Sequence, residues 1–150
     1  MTEDNQKFVS QIEEMGDQEV RQQQEEVWER EMPDIRTLDC VSTVEEQVTY
    51  EFPELTAVCP MTGLPDFYRL RLVYRPDGRV PELKSFRFYL LSYRDVPVLH
   101  EHLAGKIYRD FVDAVKPAEA AIQLNVAVRG GITTTVRAGE LPLLGEFREG

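Results

Sequence analysis

The first half of the chain contains two stretches whose hydrophobic pattern is typical of β-strands. Residues 46–52 (EQVTYEF) are rich in β-branched and aromatic side chains, and the following Pro53 predicts the end of that strand. Residues 67–75 (FYRLRLVYR) alternate apolar and polar side chains, which is the period of a half-buried strand. A Pro-Asp-Gly turn at residues 76–78 closes this stretch. The sequence therefore predicts two strands joined by a hairpin-like connection.

The pattern then changes to helical spacing and back again. Apolar side chains recur every three or four positions in residues 82–93 and every four positions in residues 99–115. Alternation returns in residues 122–128 and 132–136, on either side of a Gly-Gly turn. The resulting order, ββααββ, predicts an α+β fold with one antiparallel sheet and two helices on one of its faces.

The outer strands of such a sheet carry backbone hydrogen-bonding groups without partners. Native proteins cover or continue exposed sheet edges, and symmetric assembly is one way to do so. We therefore expect a homo-oligomer in which the sheets join across subunits and close into a barrel.

The first 45 residues differ in composition from the rest of the chain. They are polar and acidic, and they offer too few apolar side chains to offset the entropy of folding independently. We interpret residues 1–45 as an extension, flexible or partly helical, and residues 46–150 as a single domain. Val27 and Trp28 could attach a short amphipathic helix to the domain or to a neighbouring subunit, but we favour a solvated tail.

Charge and composition narrow the range of partners. The formal net charge of -10 disfavours nucleic acid, because neutralising phosphates requires clustered Lys and Arg. No apolar run approaches the roughly 20 residues of a membrane span, and the first residues lack a secretory pattern. We expect a cytoplasmic protein with no membrane partner. In a reducing compartment Cys40 and Cys59 are best interpreted as free thiols.

The connection between the first two strands, FPELTAVCPMTGLPDF (residues 52–67), carries the most informative chemistry. It contains Cys59 and Asp66, and the two ends of such a connection meet at one edge of the sheet. A thiolate attacks electrophilic carbon, and a partly desolvated carboxyl group can donate a proton to a developing nitrogen anion. This pair suits nitriles, amides and thioesters. On composition alone, a buried apolar Cys and a turn-forming Asp are the commoner interpretations.

His100 and Glu101 begin the second predicted helix. The two carboxylate oxygens of Glu101 could accept hydrogen bonds from the ring N–H and the exocyclic amine of a guanine-like base. The alternative is a carboxylate favoured by the helix dipole beside a surface His. Either interpretation fits the sequence pattern by itself.

We expect no metal site and no standard nucleotide-binding loop. The Cys and His residues of the chain show neither the CxxC nor the HExxH spacing of a zinc site. The Arg129-Gly130-Gly131 sequence matches neither a Rossmann nor a P-loop fingerprint, and its plain interpretation is a hairpin turn.

Four segments, taken in order, resemble the motifs of the 7-cyano-7-deazaguanine reductases, the nitrile reductases of queuosine biosynthesis. Residues 52–67 resemble the catalytic loop of that family, and residues 82–90 (ELKSFRFYL) its nicotinamide-cofactor motif. Residues 99–103 (LHEHL) resemble its substrate helix, and residues 128–132 (VRGGI) its second cofactor segment. The family has the tunnelling fold, whose ββααββ order is the one that the hydrophobic pattern predicts.

The resemblance implies a mechanism and a set of site residues. Cys59 would attack the nitrile carbon to form a thioimide, Asp66 would protonate the nitrogen, and His100 would assist proton transfer. Two NADPH would reduce 7-cyano-7-deazaguanine (preQ0) to 7-aminomethyl-7-deazaguanine (preQ1). The family also implies a pocket between subunits of a decamer built from two pentamers. The substrate contacts implied are Pro81, Glu82, Leu83, His100 and Glu101, and the NADPH contacts are Leu83, Lys84, Arg129 and Gly130.

Other functions remain open for a chain of this fold. An archaeosine-type amidinotransferase forms the same thioimide, acts on preQ0-modified tRNA and needs no NADPH, but residues 82–90 and the charge argue against it. A non-catalytic assembly protein is disfavoured by the joint presence of Cys59, Asp66 and Glu101. A zinc-dependent pterin cyclohydrolase is disfavoured by the missing ligand spacing.

Overall fold

The computed structural model describes residues 2–3 and 17–146 of the chain. Parts of two predictions lie outside the described residues: residues 1 and 4–16 of the extension, and residues 147–150 of the domain. The elements from residue 17 onward are α1 (Asp17–Glu29), β1 (Thr37–Cys40), β2 (Val48–Val58), β3 (Pro65–Arg75), β4 (Gly78–Pro81), α2 (Leu83–Leu91), a 3-10 helix (Ser92–Asp95), α3 (His100–Val115), β5 (Glu119–Arg129), β6 (Ile132–Gly139) and a second 3-10 helix (Leu141–Leu144).

Two antiparallel sheets organise these elements. The larger sheet has the strand order β2-β3-β5-β6, and the smaller one pairs β1 with β4. Alternate residues of β3 (Tyr68, Leu70, Leu72 and Tyr74) are at most 2% exposed and face the helices, as the alternation predicts. The α+β class and the ββααββ order of the main elements are therefore confirmed.

Strand β2 is longer than the sequence predicts. It runs over Val48–Val58, so the prediction that Pro53 ends the strand is wrong. The pairing register shifts between Phe52 and Leu55, and Pro53 lies within this irregularity, where its missing N–H removes no ladder hydrogen bond. As a consequence, the strand continues until the residue before Cys59.

Strand β1 was not predicted, and it lies within the segment interpreted as an extension. Thr37 faces Pro81 and Cys40 faces Gly78 in the pairing of β1 with β4. Each strand has only four residues and shows no clear apolar alternation, so the pattern offered no signal for them. The boundary at residue 45 stays a prediction, but this part of the extension is paired with the body of the chain.

The two predicted helices are confirmed with small changes at their ends. Leu103, Ile107 and Phe111 of α3 are fully buried, and this is the every-fourth-residue face seen in the sequence. Helix α2 ends at Leu91, and the 3-10 helix that follows accounts for the remainder of the predicted segment.

A third helix, α1, packs against α3. Val27 is only 7% exposed, and the guanidinium of Arg109 lies 3.9 Å from the centroid of the Trp28 ring. The interpretation of a solvated tail is therefore wrong for residues 17–29. The short apolar pair of α1 is sufficient because α3 supplies the complementary surface, which the local sequence does not reveal.

Gly139 is a glycine whose backbone lies directly against neighbouring elements. Its φ angle is +92°, and an added Cβ would lie 2.5 Å from the carbonyl oxygen of Ala120 and 2.5 Å from the Tyr108 ring. Gly78 has a similar φ of +86°, but an added Cβ there would meet nothing within 4 Å. The two glycines therefore separate the cost of the backbone conformation from the cost of the contact.

We expect Gly78→Ala to lower the free energy of unfolding by about 1–2 kcal/mol, the usual cost of a left-handed conformation for an L-residue. Gly139→Ala should lower it by about 3 kcal/mol or more, because the Ala120 carbonyl must also move. Urea unfolding of both variants measures the difference. Equal losses would contradict the close approach at residue 139.

Candidate active site

Cys59 lies immediately after β2, in the short loop of residues 59–64. Its backbone N–H donates to the carbonyl of Leu64 at 2.8 Å, and Gly63 N–H donates to the Cys59 carbonyl at 2.9 Å. Gly63 has a φ of +71°, a conformation that favours glycine. The connection is thus a tight turn of six residues, shorter than the sequence predicts. The turn holds Cys59, which is half-buried, at the end of the sheet.

Asp66 of β3 pairs with Ala57 of β2. Ala57 is two residues before Cys59 in the sequence. Asp66 is 6% exposed and has an interaction partner in the structure. Asp66 and Tyr68 are two positions apart on β3, so they lie on the same, helix-covered face of the sheet. A buried carboxyl group is therefore present at the sheet end that carries the thiol.

Residues 96–98 bring the start of α3 to this same end. Val58 N–H donates to the Val96 carbonyl at 3.0 Å, and Val98 N–H donates to the Val58 carbonyl at 3.1 Å. This short parallel pairing adds an extra segment to the edge of β2. Because α3 begins two residues after Val98, its first turn is held beside Cys59.

His100, the first residue of α3, is tied to the sheet through Tyr68. The Tyr68 hydroxyl and His100 Nδ1 share a hydrogen bond of 2.8 Å, and the rings meet edge to face with centroids 5.5 Å apart. Tyr68 was not predicted to be a site residue. Its signal was available, since the strand alternation puts Tyr68 on the same face as Asp66.

Glu101 follows at the exposed surface of the same helical turn. The N-cap residue Leu99 offers no side-chain hydrogen bond to the first N–H groups of α3. An exposed carboxylate beside such an end is free to bind a ligand that carries N–H donors. We call the end of the sheet formed by Cys59, Asp66, His100 and Glu101 the thiol end.

The hairpin between β5 and β6 also projects at the thiol end. Tyr68 pairs with Val126, and β5 continues three residues further to Arg129. Gly130 and Gly131 have φ angles of +63° and +80°, so the predicted Gly-Gly turn is confirmed. The backbone of residues 129–130 is therefore in reach of a ligand bound at this end.

The remaining predicted site residues, residues 81–84, lie elsewhere; we call them the α2 start. Phe86, one turn into α2, packs against Tyr50 with ring centroids 6.2 Å apart, and Tyr50 is near the beginning of β2. Helix α2 and the following 3-10 helix then run towards Val96 at the thiol end. Phe86 also packs against Phe111 of α3 with ring centroids 5.6 Å apart, and Phe111 is eleven residues, or about 16 Å, from His100 along α3. One chain therefore does not bring the α2 start and the thiol end together.

The α2 start has its own local chemistry. Glu82 caps the helix: its carboxylate accepts hydrogen bonds from Lys84 N–H at 2.8 Å and from Ser85 N–H at 2.9 Å. The hydrogen bond from Ser85, followed by that from Lys84, lowers the pKa of Glu82 below its ordinary value. Leu83 and Lys84 are exposed beyond this cap. An exposed apolar side chain beside an ammonium group suits a ligand with both a ring and a phosphate.

Among the described residues, no group of three or more His, Cys, Asp or Glu side chains is placed to hold a metal ion. Within the same part of the chain, none of the helices combines the length and apolar character needed to cross a bilayer.

The architecture is similar to that of a solved protein. A crystal structure of the archaeosine synthase QueF-Like in the apo form has a TM-score of 0.57 and 24% sequence identity, and it covers 66% of this chain and 95% of that one. At this identity the likeness concerns the fold alone. The predicted tunnelling fold is thereby confirmed.

The chain belongs to the QueF-like protein family, whose match spans residues 65–141, more than half of the sequence. Relatives named NADPH-dependent 7-cyano-7-deazaguanine reductase include the protein of Chloroherpeton thalassium, 49% identical over 57% of this chain and 74% of its own. That of Elusimicrobium minutum is 39% identical over 71% and 81%. That of Syntrophus aciditrophicus is 47% identical, and the match spans 61% of this chain and 65% of the relative. The resemblance seen in the four motifs is confirmed.

The Glu82 cap predicts a specific dependence of stability on pH. Because its folded pKa is lowered, the carboxylate stabilises the fold above its ordinary pKa of 4.5 and ceases to do so as the pH falls through the folded pKa. We expect Glu82→Gln to have a lower melting temperature than the unmodified chain at about pH 7, and the difference should close as the pH falls below about 4.5. Thermal melts across this range measure it. A gap that stays constant would contradict the cap.

Proposed function

We propose that this chain reduces the nitrile of 7-cyano-7-deazaguanine to the aminomethyl group with two NADPH, in queuosine tRNA modification. The observation that carries the proposal is the convergence at the thiol end of Cys59, a buried Asp66 and the Tyr68–His100 hydrogen bond. The relatives described above carry the name of this activity. A thiol and a carboxyl group at one sheet end are the groups that addition to a nitrile requires.

The chemistry at the thiol end proceeds by addition and then reduction. The sulfur of Cys59 bonds to the nitrile carbon while Asp66 donates a proton to the nitrogen, which gives a thioimide. When bound, NADPH supplies one hydride for this adduct and a second for the imine released when the C–S bond breaks. The Tyr68–His100 pair orients the imidazole, so that its Nε2 can relay a proton towards the nitrogen. Two hydrides and two protons thus convert the nitrile to the amine.

Binding is divided between the thiol end and the α2 start. Glu101, exposed beside the N-terminus of α3, accepts from the ring N–H and amine of the deazaguanine, with His100 beside it. Pro81, Glu82 and Leu83 form the other wall for the ring. In this role Glu82 contacts the ring through its backbone and the carbon atoms of its side chain, because both of its carboxylate oxygens already cap α2.

The NADPH contacts fall to groups whose chemistry fits the cofactor. The exposed ammonium of Lys84 suits a phosphate, and Leu83 beside it offers an apolar surface. The Gly130 turn at residues 129–130 presents backbone N–H groups that suit an anion, and Arg129 adds a positive charge.

A complete site then requires two subunits. The α2 start packs beside the part of α3 around Phe111, which is about 16 Å from His100 in the same chain. A neighbouring subunit whose α2 start abuts the thiol end completes the pocket, and joined sheet edges would build the barrel. We favour the decamer of two pentamers for this assembly. The cytoplasm, where thiols stay reduced, is the compartment that suits Cys59.

The catalytic proposal is tested by mixing the protein with 7-cyano-7-deazaguanine and NADPH and following the loss of reduced nicotinamide. We expect about two NADPH oxidised per nitrile. Cys59→Ala should abolish the covalent adduct seen by mass spectrometry, whereas the matched variant Cys40→Ala should retain it. Asp66→Asn should still bind substrate but lose at least about 100-fold in turnover, since Asn cannot donate the proton.

Other outcomes would change the assignment. Full activity of Cys59→Ala would contradict the thioimide mechanism. A stable adduct on Cys59 without oxidation of NADPH would favour the amidine-forming reaction, and no adduct at all would favour an assembly protein.

The division of the site between subunits predicts complementation. Cys59→Ala and Lys84→Glu each disable a different half of the pocket, so each pure variant should be nearly inactive. When they are dissociated together and reassembled at equal amounts, random pairing should restore about a quarter of the sites. The measurement is NADPH oxidation before and after reassembly. No recovery from variants that reassemble normally would contradict a shared pocket.

A further inference from the structure

We infer that α1 is a positioning element for the candidate active site: it braces Pro60 and Met61, which follow the Cys59 thiol, together with the first turn of α3. The inference rests on the proposed function, because it concerns the geometry in which Cys59 meets its electrophile. Helix α1 lies outside the segment matched by the family, residues 65–141.

The buried side of α1 faces two neighbours, the loop that follows Cys59 and the start of α3. Val27 is 93% buried, and Gln23 and Gln24 on the preceding turn are half-buried. A small cavity of about 30 Å³ lies between α1, the Cys59 loop and the start of α3. The cavity is lined from α1 by Gln23, Gln24 and Val27, from the loop by Pro60 and Met61, and from the start of α3 by Pro97, Val98, Leu99 and His102.

The end of α1 is anchored to α3 by Trp28. The Arg109 guanidinium lies over the indole ring at 3.9 Å from its centroid, and its Nη2 donates to the Trp28 carbonyl at 2.6 Å. Gly105 lets the ring lie against α3, since an added Cβ would be 3.5 Å from the nearest indole carbon. A longer side chain at residue 105 would therefore occupy the place of the ring.

A second anchor uses a buried charge. Lys106 is 4% exposed, and its Nζ donates to the Arg30 carbonyl at 3.2 Å and pairs with Asp110 at 3.2 Å. A buried ammonium group requires partners. The Arg30 carbonyl, just beyond α1, supplies one partner for Lys106 in addition to Asp110 of α3. Both anchors fix the position of α1 along α3.

This position matters for the thiol because residues 60–61 belong to the same six-residue turn as Cys59. A displacement of the turn by about 1 Å is enough to cost up to about 100-fold in a reaction that depends on alignment of the attacking atom. Loosening α1 removes one wall of the cavity that Pro60 and Met61 also line. The expected signature is slower addition of Cys59 to the nitrile and greater access of small reagents to the thiol.

The test uses full-length variants that loosen α1 from each side. Trp28→Ala removes the ring, and Gly105→Leu fills its place while favouring the α3 helix more than glycine does. Trp28→Phe keeps an aromatic ring under Arg109 and serves as the conservative rescue. Gln22→Ala, on the exposed side of α1, is the matched control.

Two rates are measured on each variant. One is formation of the adduct with 7-cyano-7-deazaguanine in the absence of NADPH, and the other is alkylation by iodoacetamide of Cys59 and Cys40, resolved by peptide mass spectrometry. Trp28→Ala and Gly105→Leu should slow adduct formation about tenfold. They should also speed alkylation of Cys59 at least about threefold at an unchanged rate for Cys40. Trp28→Phe and Gln22→Ala should behave like the unmodified chain.

Unchanged adduct formation in both loosened variants would overturn the inference, even if their melting temperatures fall. Alkylation of Cys40 that rises in parallel with Cys59 would also overturn it, because general loosening would then explain the result. An unmodified chain that forms no adduct would sink the proposed function instead. In that case the ratio of the two alkylation rates alone decides whether α1 protects the Cys59 turn.

Discussion

The candidate active site depends on the pairing of residues 96–98 with the last residue of β2. Two backbone hydrogen bonds, Val58 N–H to the Val96 carbonyl and Val98 N–H to the Val58 carbonyl, satisfy an edge that would otherwise face solvent. The same two bonds set where α3 begins, and hence where His100 stands relative to Cys59. Together with the Tyr68–His100 hydrogen bond, they relate the thiol at the end of β2 to the imidazole at the start of α3.

Most of the fold could be predicted because apolar side chains recur at regular intervals along its main strands and helices. The alternating apolar residues of β3 and the apolar residues at every fourth position of α3 each form a buried face, so local sequence and tertiary packing agree. The failures have equally physical reasons. Pro53 does not end the strand, because it lies at a register shift where the ladder does not need a backbone N–H donor. Helix α1 and strand β1 are stable only through partners distant in sequence, which a local pattern does not report.

The candidate site could be predicted only in part, and for different reasons at its two ends. Cys59, Asp66 and His100 were predicted from their chemistry and from the resemblance. The β2–β3 hairpin places Cys59 and Asp66 at one end of the sheet, and the hydrogen bond to Tyr68 places His100 there. Tyr68 was overlooked because a tyrosine in an alternating strand resembles any other core residue. The separation of the α2 start from the thiol end could not be read from motifs, since the order of motifs carries no distance. It appears only when the direction of α2 along the sheet is known.

Polar contacts between α2 and α3 hold the α2 start in place relative to the thiol end. Tyr89 donates to Asp110 at 2.6 Å and shares a 2.7 Å hydrogen bond with Tyr93, while Lys106 pairs with the same carboxylate. Burial raises the pKa of Tyr89 well above its ordinary value, so the phenol stays neutral and keeps its donor. Sliding α2 along α3 would leave these buried groups unpaired, at a cost of about 1–3 kcal/mol for each. A chain built this way does not bring its α2 start to its own thiol end by bending α2, and for this reason the proposed pocket draws the α2 start from a second subunit.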